Sequence, residues 1–68
     1  MQRHQTEQIE EWIDRYGVQG VLLSLAHISE GKSRHIQEAW QDKELSRAWG
    51  KQAQALEALA QKAKEQRL

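Results

Sequence analysis

The chain has no cysteine, no proline and no phenylalanine, and only four glycines and one methionine. Without cysteine, neither a disulfide nor a Cys/His zinc site can brace a small fold. Net charge is missing as well: ten Lys and Arg balance ten Asp and Glu, so no overall field draws the chain toward DNA or an anionic membrane. Long apolar runs are also lacking. The most apolar stretch, 18–28, is interrupted by Gln19, Ser24 and His27 and falls well short of the roughly 20 apolar residues that cross a bilayer. The opening MQRHQTEQIEEW carries charge but no apolar core, so it does not read as a secretory leader. A soluble, cytoplasmic chain without a membrane segment is the expectation.

What is present is helix-forming. Gln, Glu, Lys, Arg, Ala and Leu dominate the sequence, and these residues lose little freedom in a helix. Strand signals are thin: there are two Val and no period-two run. The fold class is therefore all-α, in a single domain over 1–68, with three helices.

The first helix is expected at about 6–16. Thr6 serves as its N-cap, and Glu7, Glu10 and Glu11 sit where the helix dipole favours negative charge. Ile9, Trp12, Ile13 and Tyr16 form its apolar face, and Gly17 suits a positive φ at its end. The second is expected at 18–40, with a core stripe of Val21, Leu22, Leu25 and Ile28 that Ile36, Ala39 and Trp40 continue in phase. Gly31 is the one point where it could break, leaving Ser33 to cap a short separate segment. Because the stripe keeps its phase across the glycine, a helix that continues or kinks is the preferred reading.

Gln41 and Asp42 form a tight joint, with Asp42 as N-cap of a third helix over 43–67. Apolar residues there fall at Leu45, Trp49, Ala53, Leu56, Ala60, Ala63 and Leu68, a narrow, alanine-rich stripe that must lie against other helices. Two long helices joined by two residues imply an antiparallel hairpin, with the short first helix crossing its open end. A chain of this length buries only about 60% of its unfolded surface. Self-association, a dimer first, is the remaining support, and the expected assembly is a helical bundle.

Four groups of residues are candidates for function. Trp12, Trp40 and Trp49, with Leu45, Leu56 and Leu59, could anchor a protein partner, since Trp is enriched at interface hot spots. Lys43, Arg47 and Lys51 recur every four residues, with Lys62 along a nearby line, a basic row that could track phosphates, the more so if Arg34 or Lys32 shares its surface. The stretch Leu25–Trp40 carries an irregular helix-turn-helix outline, with Gly31 in the turn.

His27/Glu30 and His35/Glu38 repeat H-I-x-E, so each pair could share a metal ion. Metal is nevertheless not expected. No His has the Glu three residues before it that a helical di-iron site uses, and eight residues rotate one pair from the other by about 80°. No nucleophile stands with a base, and no glycine-rich phosphate loop exists. No stretch carries the motif of a family whose function could be transferred.

The sequence therefore predicts a non-enzymatic helical protein without a cofactor, acting as a homo-oligomer on a protein partner. Binding of nucleic acid, and binding of a metal by a helical bundle, are the alternatives.

Overall fold

In a computed structural model that describes residues 3–68, two helices carry nearly all of the chain and no strand occurs among the described residues. Helix α1 spans Arg3–His35, a π-helical turn spans Ile36–Trp40, and helix α2 spans Lys43–Glu65. The side chain of Trp40 lies outside the described residues.

α1 bends sharply at Gly17, whose φ of 76° and ψ of 164° lie in a region open to glycine alone. The separate first helix expected over 6–16 is thus the leading arm of α1, joined through this kink to a second arm, 18–35. Nothing stops the leading arm at Thr6. The helix begins at Arg3, where Arg3 Nε lies 3.4 Å from Glu7 Oε1 across one turn.

Gly31 sits inside the second arm without breaking it. The turn that the helix-turn-helix outline needs is therefore absent, and Ser33 caps no separate segment. Five residues before the expected end at 40, the backbone widens into the π turn, in which bonds run i→i+5. Gln41 then reverses the chain in the left-handed region, φ 54° and ψ 29°, a conformation costing a non-glycine residue about 1–2 kcal/mol.

α2 begins where Asp42 caps it, the carboxylate Oδ1 accepting the Leu45 N–H at 3.0 Å. It closes in a Schellman turn. Leu68 N–H donates to Ala63 O at 2.8 Å and Arg67 N–H to Lys64 O at 3.1 Å, with Arg67 left-handed at φ 62°. The helix is thus two residues shorter than the expected 43–67. The same turn reaches back to the kink, for Gln19 N–H, an orphan donor at the head of the second arm, bonds Leu68 O at 3.2 Å.

Packing between the two helices is built from small residues. Among the described residues, Ala26, Ala53, Ala60 and Ala63 are the buried apolar side chains, with Ser29 and Ser46 buried beside them. At the joint end each serine hydroxyl donates to the other's carbonyl. Ser33 Oγ reaches Ser46 O at 2.7 Å and Ser46 Oγ reaches Ser33 O at 2.8 Å, the two hydroxyls 3.1 Å apart. Ser33 beside Ser46 and Gln19 beside Leu68 set the second arm and α2 side by side in opposite directions.

The inward line of α1 is therefore Leu22, Ala26, Ser29 and Ser33. Of the expected stripe, Leu22 keeps to this line and Val21 is half-buried, whereas Leu25 and Ile28 are exposed. The reason is steric. α2 presents alanine, serine and Gly50, and two helices can approach closely only where both faces are small.

Candidate interaction surfaces

Large apolar side chains line the outside of this packing. At the kink, Trp12 and Tyr16 from the leading arm meet Val21, Leu25 and Ile28 from the second arm around a cleft of about 270 Å³. Trp12 is 44% exposed, Tyr16 61% and Ile28 56%. Ile9 and Ile13, on the same arm, turn partly inward.

One turn beyond Ile28, Lys32 places its ammonium 5.6 Å from the centroid of the Trp49 ring, within cation–π range. Lys32, His35, Ile36, Leu45 and Trp49 surround a second cleft of about 250 Å³. Val21, Leu25, Ile28, Lys32 and Ile36 succeed one another by three or four residues, so the two clefts share one side of α1. Of the expected anchors, Trp12, Leu45 and Trp49 belong to these clefts. Leu56 is half-buried, and Leu59 is exposed on α2.

The basic row lies elsewhere. Lys43, Arg47 and Lys51 line a groove of about 480 Å³ together with Ser33, Gln37 and Gln54. At 100° per residue, Leu45 and Trp49 stand about 160–200° around α2 from Arg47, so basic and apolar surfaces take opposite sides of that helix. Arg34 does not join the groove; its nearest acid is Glu30 on α1, at 4.0 Å.

The metal candidates His27, Glu30, His35 and Glu38 do not converge. No group of three or more His, Cys, Asp or Glu that could hold a metal occurs among the described residues. His27 and Glu30 are exposed on the second arm, and Glu30 faces Arg34. His35 ends α1 and borders the Trp49 cleft, whereas Glu38 lies exposed in the π turn. The wider winding there alters the α-helical spacing that would have stacked Glu38 over His35, so the second pair is not a repeat of the first. No helix is long and apolar enough to cross a membrane among the described residues.

Sequence reasoning missed Tyr16, Leu25 and Ile28 as surface residues and Gln54 as a groove residue. One signal was available: Ala26, Ser29 and Ser33 form a second, small-residue stripe matching Ser46, Gly50 and Ala53.

No family model, curated protein or solved structure matches the chain.

Proposed function

We propose that this protein is a small non-enzymatic helical module that acts by association. Two copies join through the apolar side that carries the Trp12 and Trp49 clefts, and the assembly serves a protein partner. The observation carrying this reading is that, among the described residues, four alanines make up the buried apolar core while Trp12, Tyr16, Leu25, Ile28, Leu45 and Leu59 stay exposed. An alanine methyl removes little apolar area from water, and full burial of a Leu, Ile or Phe contributes about 1.5–3 kcal/mol each.

Two measures of compactness agree. The accessible surface is 5812 Å² for 7.9 kDa, whereas a compact monomer of that mass exposes about 4,400 Å². The radius of gyration is 13.8 Å, against about 11 Å for a compact domain of this length. The surplus, about 1,400 Å² per chain, exceeds the roughly 800 Å² that each partner contributes to a standard interface. A second copy, related by a two-fold axis, could cover it with the same patch on both chains. Ser33 and Ser46 spend their hydroxyl protons on each other's carbonyls, which leaves neither hydroxyl set beside a base.

Sedimentation equilibrium at low micromolar concentration tests the proposal. The expected species has twice the chain mass, and Ile28→Glu with Leu45→Glu returns it to the monomer. A monomer at every concentration that still unfolds cooperatively would refute it.

A further inference from the structure

We infer that the groove of Lys43, Arg47 and Lys51 binds the phosphates of a duplex nucleic-acid backbone. The inference stands apart from self-association, because the groove lies on the opposite side of α2 from the apolar clefts and a copy docked there would leave it open.

Three observations converge on it. First, these cations are free. The ion pairs among the described residues, Arg3–Glu7, Arg15–Glu11 and Arg34–Glu30, all lie within α1, and none involves Lys43, Arg47 or Lys51. Second, no Asp or Glu lines the groove; its other walls are neutral and polar, with Gln37 and Gln54 offering amide donors. Third, the balanced total charge conceals a segregation. Residues 1–41 hold four Lys and Arg against six Asp and Glu, and residues 42–68 hold six against four, so the two stretches carry −2 and +2. Half of the six cations in the positive stretch, Lys43, Arg47 and Lys51, line the groove, whereas Asp42 and Glu44 beside them do not.

Cations four residues apart rise about 6 Å along a helix axis, so the three make a row about 12 Å long. That is the geometry of a string of phosphates. Lysine meets them as a point charge and arginine as a two-pronged donor, and glutamine amides are common partners of backbone oxygens. No aromatic side chain lines the groove, so the stacking platform that single strands use is absent and a duplex is the better fit. Phosphate contacts carry no sequence information, so binding through this row is indifferent to sequence.

The test uses the full chain and a fluorescein-labelled 20-base-pair DNA duplex, followed by fluorescence anisotropy. At 50 mM salt we expect a Kd of about 10⁻⁴–10⁻⁵ M, equal for unrelated sequences, with a slope of log K against log salt near −2.7 for three phosphates neutralised. K43Q/R47Q/K51Q should lose at least tenfold in affinity and flatten the slope, with an unchanged circular dichroism melt. K64Q/R67Q, which removes the same kind of charge outside the groove and off the line of the row, should bind within twofold of the parent. No anisotropy change at 50 mM salt would overturn the inference. So would equal binding by the triple variant, or poly-glutamate binding as tightly as the duplex.

Discussion

The kink at Gly17 admits a substitution whose outcome can be worked out. Gly17→Ala places a Cβ 2.8 Å from Leu68 O and 3.4 Å from Leu68 C, both backbone atoms that cannot swing aside as a side-chain tip would. Alanine is also asked to hold φ 76° and ψ 164°, at a cost of about 1–3 kcal/mol. Moving Leu68 sacrifices the bond from Gln19 N–H, a net contribution of about 0.5–1.5 kcal/mol. Against this, alanine restricts the unfolded chain and returns about 0.4–1 kcal/mol.

The balance is a destabilisation of about 2 kcal/mol, which lowers Tm by about 8–16 °C in a domain of this size. Gly31→Ala is the counterpart. It lies within α1 with nothing within 4 Å of its added Cβ, so the variant should gain about 0.5–1 kcal/mol and melt higher. Far-UV circular dichroism melts at one matched concentration would compare the two, since association alone shifts Tm. If Gly17→Ala melts at or above the parent, the bend does not depend on glycine geometry and the tie to Leu68 is not holding it.

Two further predictions concern the joint between the helices. In the serine pair, Ser33→Ala and Ser46→Ala should each cost about 1 kcal/mol, with a coupling of at least 0.5 kcal/mol in the double-mutant cycle; additive denaturant midpoints would show that the two hydroxyls act separately. Asp42→Ala removes the acceptor of the Leu45 N–H and should lower stability by about 1 kcal/mol. Asp42→Asn, which keeps an acceptor, should recover most of the loss in urea titration, and equal losses for both would discount the cap.

Local chemistry determined a good part of this architecture. Helix-forming composition without proline makes the chain helical, Asp42 starts α2 through its side-chain acceptor, and Gly17 takes the positive φ that its place after Tyr16 implies. These features depend on atoms a few residues apart, and sequence spacing reports such distances directly. The side of α1 that turns inward was settled elsewhere. Its second arm carries both a large apolar stripe, Val21, Leu25 and Ile28, and a small one, Ala26, Ser29 and Ser33. Periodicity gives the angle between two such stripes and cannot rank them. The alanine face of α2 ranked them, because close approach of the helix axes favours methyl and hydroxymethyl groups over branched chains such as Leu25 and Ile28. That tertiary choice leaves the large residues outside as clefts and gathers Lys43, Arg47 and Lys51 beside Gln37, a neighbour their spacing along α2 does not reveal.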